Sequence, residues 1–307
     1  MVTVEWQTSI GVNGRNLINV KKLNWLKLKV NIFRCINRYV DLDFKDVGDP
    51  NNIVKEIQDS IFNIMENLNS NGTNKSELEG ALYDLKPKKA PGFDGIPNEI
   101  LREMYLANKN WFVGFLDYLL SNAIFPRVWK IALVTLIPKP KKDLSSASHF
   151  RPICLLPTWG KLFDKIISRR MSYYLELSGF ISSNQFGFRQ QKSTITAFQN
   201  IKNYIDQAST NGNIVCIISL DFKNAFNSVN WSILKGKIIK LPIPSYLKNI
   251  ILDFLNNRSI KNGDLEMKYN LGVPQGSCMG PLLWNIFIND LLEIEFDEGI
   301  KNPSFCG

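Results

Sequence analysis

The stretch NIVCIISLDFKNAFNSVNW, residues 213–231, constrains the fold more than any other part of this chain. Its apolar, β-branched run reads as a strand over 214–221 that ends on a single carboxylate, Asp221. Around it, segments of helical spacing alternate with short apolar runs. Ser76 stands three residues before Glu79, a capping-box pattern that opens a helix reaching Leu85. WKIALVTLIPKPKK (129–142) is a β-type run ending in a basic loop, and GKLFDKIISRRMSYYLEL is helical. The loop NQFGFRQQKS precedes a helix over 194–209, and the 214–221 strand follows. Val229, Trp231, Ile233, Leu234, Ile238 and Ile239 then suit an amphipathic helix, with another over 245–256. This order predicts an α/β chain with helices set between strands.

At 307 residues and 45% hydrophobic, the chain can bury one large domain or two small ones. Its five cysteines show no CxxC spacing and its one histidine, His149, has no catalytic partner pattern. That speaks against a zinc site and a disulfide framework, and for an intracellular setting. Residues 1–30 are charged throughout, and no apolar run is long enough for a bilayer, so neither a signal peptide nor a membrane is expected. The region 1–75 is different in kind: basic and mixed early, an acidic turn-rich DLDFKDVGDPNN, then a short helical pattern. The net charge of +9 is concentrated between Lys86 and Gln190, where 16 Lys/Arg face 7 Asp/Glu. Two readings of that block stand, a footprint for a polyanion and an ordinary solvated surface.

Asp221 at a strand's carboxyl end suits a hard cation such as Mg²⁺, while a helix-capping aspartate fits the same window. GVPQGSCMGPLL brings three glycines and two prolines before an apolar helix. Such a loop lets backbone approach a ligand, although a tight structural turn explains it as well. Asp94-Gly95 in PGFDGIP reads as turn chemistry rather than as a ligand. Lys139, Lys141, Lys142 and Arg151 could hold phosphates around a strand end, or be solvated.

Taken in order, KAPGFDGIPNEIL, WKIALVTLIPKPKKD, FRPICLLPTWGKLFDKIISRR, NQFGFRQQKSTITA, LDFKNAFNSVNW and GVPQGSCMGPLLWNIFINDL resemble the blocks of a reverse transcriptase. The likeness is to the non-LTR (LINE-type, Jockey- or I-factor-like) retrotransposon group and covers residues 76–307. It implies right-hand polymerase fingers over 76–210 and a ferredoxin-like palm with packed helices over 211–307. Residues 1–75 resemble the linker after the endonuclease domain of such proteins. The implied reaction joins a DNA primer 3′-hydroxyl to the α-phosphate of a deoxynucleoside triphosphate on an RNA template, with two Mg²⁺ (or Mn²⁺) ions.

By the same resemblance, Asp221 is the first metal-binding aspartate and the Phe222 carbonyl its companion ligand. Phe226 packs where a ribose 2′-hydroxyl would lie. Lys139 and Arg151 hold the triphosphate, Lys141 and Lys142 face nucleic acid, and Gln275 and Gly276 contact nucleotide and template. No role is assigned to Arg189. Asn227 stands where many relatives have an acid that is not a metal ligand, so that departure changes little. A second departure changes more: the FADD or YADD box, whose aspartates complete the metal site, is expected to begin about where residue 307 falls. Asp290 belongs to another family element, and Glu293, Glu295 and Asp297 read as a solvated turn. The expectation is therefore a truncated palm without a thumb, apolar surface left exposed, and no polymerase activity from these 307 residues alone. Two competing readings are a non-catalytic RNA or RNA–DNA binding fragment and an unexpressed genomic relic.

Overall fold

The structure, a computed structural model, describes residues 72–140, 145–146, 149–217, 220–222 and 225–294. The expectations for residues 1–71, for Lys141 and Lys142, and for 295–307 lie outside the described residues. Eight α-helices and four strands are present among the described residues, confirming the α/β class. In chain order they are α1 (Lys75–Tyr83), α2 (Asn98–Ala107), α3 (Lys109–Ser121), β1 (Ile131–Pro138), β2 (Phe150–Leu155) and α4 (Thr158–Leu177). Then follow α5 (Thr194–Thr210), α6 (Trp231–Lys240), α7 (Ser245–Phe254), β3 (Ser259–Asn262), β4 (Leu265–Lys268) and α8 (Met279–Leu292).

The sheet order is β2-β1-β3-β4. β1 runs antiparallel to β2, with Leu133 opposite Leu155, and parallel to β3, with Ile131 opposite Ser259. β3 and β4 form a hairpin turning at Gly263-Asp264, where Gly263 takes φ of 58°. Glycine at the first position of a two-residue loop is the turn chemistry of such a hairpin. This sheet joins strands from residues 131–155 to strands from 259–268, so it spans the sequence boundary expected at 210/211.

Helix α4 is the centre of the core. Leu162, Phe163, Ile166, Ile167 and Met171 recur at helical spacing and are all fully buried. Trp159 near its start stacks on Trp129 with centroids 5.9 Å apart, and Phe112, Phe115, Phe125 and Phe254 close around the pair. Under that cluster, Lys130 Nζ lies 2.7 Å from Asp253 Oδ1, and Phe125 N–H donates to Asp253 Oδ2 at 2.6 Å. The pair locks α7 to the start of β1, since burying either charge alone would be costly.

Two local expectations change. The cap of α1 is Asn74, whose side chain accepts from Ser76 N–H, so Ser76 lies inside the helix rather than at its cap. Residues 214–217 and 220–221 form no strand. A strand needs a ladder partner, and among the described residues none pairs with this run. Ile214 is 99% and Leu220 82% exposed.

Candidate nucleotide site

The GVPQGS loop is tied down on two sides. On one, Val273 N–H donates to Phe226 O at 2.7 Å, Gly272 N–H to Val229 O at 2.8 Å, and Trp231 Nε1–H to Gly272 O at 2.6 Å. A Cβ on Gly272 would sit 2.9 Å from Phe226 O, so only glycine lets the two segments approach this closely. On the other side, Cys154 N–H donates to Gln275 O at 2.9 Å, and the loop covers the free edge of β2. Gly276 takes φ of 122°, with the position of a Cβ only 2.7 Å from Cys154 O. The loop that the sequence offers as a ligand contact or a structural turn therefore bridges the Phe226 segment and β2.

That arrangement joins Gln275 and Gly276 to the Phe226 segment and to β2, the strand that carries Arg151. Arg151 lies on β2 three residues before Cys154, exposed, with Ile137 opposite. Lys139 follows β1 directly, its N–H donating to His149 O at 2.8 Å, so the hairpin brings Lys139 and Arg151 to one end. Phe226, in a 3₁₀ turn over Ala225–Asn227, is half-buried. Asp221 and Phe222 are exposed at the end of the run without a ladder.

The loop continues into α8, whose first turn is held by a residue that sequence reasoning missed. Asp164, fully buried on α4, accepts Ser277 Oγ–H at 3.0 Å, Cys278 N–H at 2.5 Å and Met279 N–H at 3.2 Å. These are the orphan donors of a helix N-terminus, where a carboxylate is favourable. Burial raises its carboxyl to about 6, and the three donors pull against that rise. A lone acid within the apolar pattern Leu162-Phe163-Asp164 was the available signal, of the same kind that singled out Asp221. Asp94 is likewise structural: its carboxylate accepts Ile96 N–H at 3.3 Å and bonds the backbone of Thr158 at the start of α4. Burial lifts it to about 6.

A family profile described as reverse transcriptase (RNA-dependent DNA polymerase) matches residues 137–296, just over half of the chain. The chain belongs to the reverse transcriptase family. It is 31% identical over 221 residues to a probable RNA-directed DNA polymerase from transposon BS of Drosophila melanogaster, covering 70% of this chain and 24% of that protein. It is also 31% identical over 220 residues to the RNA-directed DNA polymerase from mobile element jockey of Drosophila funebris, covering 70% and 24%. A putative 115 kDa protein in the type-1 retrotransposable element R1DM is 29% identical, covering 71% and 21%. These relatives place the reverse transcriptase in the non-LTR, LINE-type group. The chain spans about a quarter or less of their length.

Two features of this reverse transcriptase chain bear on the sequence reading. First, part of the basic block is engaged inside the fold. Arg170 pairs with Glu77, Lys165 and Arg169 with Asp84, Arg189 with Glu176, and Lys130 with Asp253. Arg102 donates to the carbonyls of Leu82, Tyr83 and Leu85 at the end of α1. Several of these acids lie outside the window 86–190, so an excess counted along the chain is not an excess in space. Second, no three His, Cys, Asp or Glu side chains gather to hold a metal ion among the described residues. A pair of divalent ions needs several oxygen ligands each, and Asp221 with the Phe222 carbonyl falls short of that set. No helix among the described residues is long and apolar enough to cross a membrane.

Proposed function

We propose that this chain forms the fingers, over 76–210, and the first part of the palm, from 211 onward, of an RNA-directed DNA polymerase. In this reading it holds a deoxynucleoside triphosphate against an RNA template and a DNA primer. The observation that carries it is the double anchoring of the Gln275–Gly276 loop to Phe226 on one side and Cys154 of β2 on the other. Three segments far apart in sequence, each implied to touch the nucleotide, thereby share one place. Arg151 and Lys139 supply the charge that a triphosphate needs. Phe226 gives an apolar surface that a 2′-hydroxyl would have to desolvate against, which favours the deoxy sugar. Gln275 and Gly276 offer a polar edge and exposed backbone. Asp221 and the Phe222 carbonyl are this segment's contribution to a Mg²⁺ or Mn²⁺ site whose other ligands are not among the described residues. The described thiols Cys154, Cys216 and Cys278 are free, in keeping with an intracellular, cytoplasmic or nuclear setting.

Equilibrium binding of dTTP to the chain, on an RNA template with a 3′-dideoxy DNA primer, tests this reading. Arg151→Ala is expected to weaken binding about tenfold through loss of a charge-assisted phosphate contact. Unchanged affinity would remove Arg151 from the site. A polypeptide of these 307 residues is expected not to extend a primer with either ion, because it brings one aspartate to a site that needs more. Templated extension that disappears in Asp221→Ala would overturn that expectation.

A further inference from the structure

The loop Gln185–Lys192 received no role above, yet it is among the most heavily tethered segments of the molecule. Arg189 forks onto Glu176 at the end of α4, with Nε–Oε1 at 2.9 Å and Nη2–Oε2 at 2.6 Å. Its Nη1 donates back to Ser182 O at 2.6 Å and Gln185 O at 3.3 Å. From α8, Asn285 Nδ2–H donates to Gly187 O at 3.0 Å, while Asn285 Oδ1 accepts Gln185 Nε2–H at 3.0 Å. Gln185 Oε1 in turn accepts Gly187 N–H at 3.1 Å, and Gln185 and Asn285 are both buried.

This network holds Phe188 in an unfavourable state. Its φ is 54°, the left-handed region that an aromatic residue rarely adopts, and its ring is 41% exposed. What the ring meets is Phe226, edge to face, with centroids 5.9 Å apart. Behind Phe226 stands Trp284 of α8 at 6.1 Å, which also meets Phe222 at 5.9 Å. A strained, half-exposed aromatic kept in place by buried amides and a bidentate ion pair marks a position held for function rather than for packing.

We propose that Phe188 is a positioning residue for sugar selection: with Trp284 it fixes the ring of Phe226, and Arg189 and Asn285 hold Phe188 there. This rests on the reading of Phe226 as the residue that excludes a ribose. A gate ring braced on two sides cannot swing away from a 2′-hydroxyl, whereas one braced on a single side can.

Two measurements on the 307-residue chain test this. In the first, urea unfolding of Phe188→Ala, Phe226→Ala and the double variant forms a cycle. The expected coupling is a threefold to tenfold departure from additivity in the unfolding constant, and additive effects would overturn the brace. The second is the ratio of ATP to dATP dissociation constants on a dideoxy-terminated primer paired with RNA. Phe188→Ala and Arg189→Lys are expected to shrink that ratio threefold to tenfold, mainly by tightening ATP, while Phe188→Tyr retains it. A wild-type ratio in Phe188→Ala, alongside a lost ratio in Phe226→Ala, would overturn the inference and leave the gate standing. If Phe226→Ala leaves the ratio unchanged, or the wild type does not separate the two nucleotides, the gate itself fails and the inference falls with it.

Discussion

Asp164→Ala is expected to lower the unfolding free energy by about 3 kcal/mol and to loosen the nucleotide loop from α8. The wild-type carboxylate accepts from Ser277 Oγ and from the backbone of Cys278 and Met279 at the start of α8. Truncation leaves these donors facing a cavity, and an unsatisfied buried donor costs about 1–3 kcal/mol. The same site carries a pH signature. Its carboxyl titrates at about 6 in the fold against 3.8 for an unperturbed aspartate, because burial disfavours the charge. The folded protein therefore holds this proton more tightly than the unfolded chain does. That contribution is present in full below pH 3.8 and is lost as pH rises through 6, a change of about 3 kcal/mol at most. Asp164→Asn cannot titrate, so the wild-type-minus-variant difference in urea stability should favour the wild type more at pH 4.5 than at pH 7.5. A difference that stays constant with pH would show that Asp164 is ionised across the range and that its donors outweigh burial.

How far the sequence carried the fold can be seen from particular elements. The helices α4, α5, α6 and α7 were legible because each has apolar residues at helical spacing and a polar or proline start. The described residues 214–217 and 220–221 of the expected strand form none, though they have strong β character, because a ladder is a property of pairs and spacing cannot show the partner. The β3–β4 hairpin was missed despite its Gly-Asp turn, since runs of four residues leave little periodicity to read. The site divides in the same way. Asp221, Phe226, Arg151 and Gln275 could be placed in a constellation from the order of blocks. Asp164, Asn285 and Trp284 could not, because their importance lies in what they touch across more than 50 residues of chain. Charge pairing is hidden from the sequence for a related reason. Arg170 and Glu77 are 93 residues apart in sequence and hydrogen-bonded in space, so a window that contains one omits the other.

Gly276→Ala is the second substitution with a large expected effect, about 3 kcal/mol or more in stability, and it separates the loop's two anchors. The added methyl would meet the Cys154 carbonyl at 2.7 Å, and backbone on a paired strand has little room to yield. The φ of 122° is itself unfavourable for any residue with a Cβ. Relief requires the loop to lift from β2, which breaks the Cys154 N–H to Gln275 O bond while the Val273–Phe226 and Gly272–Val229 bonds remain. The Phe226 side should thus stay in place as the Arg151 side comes away. Cys154 reports the separation directly: its thiol is partly covered, and burial raises its pKa above the usual thiol range. Alkylation of the Cys154 peptide, followed by mass spectrometry under native conditions, should speed up at least tenfold in Gly276→Ala, with Cys216 as the exposed internal reference. Gly272→Ala strains the other anchor, against Phe226 O, and should leave Cys154 labelling near the wild-type rate. If both variants label Cys154 equally fast, the loop moves as one rigid unit, and the nucleotide segments depend on global rather than local stability.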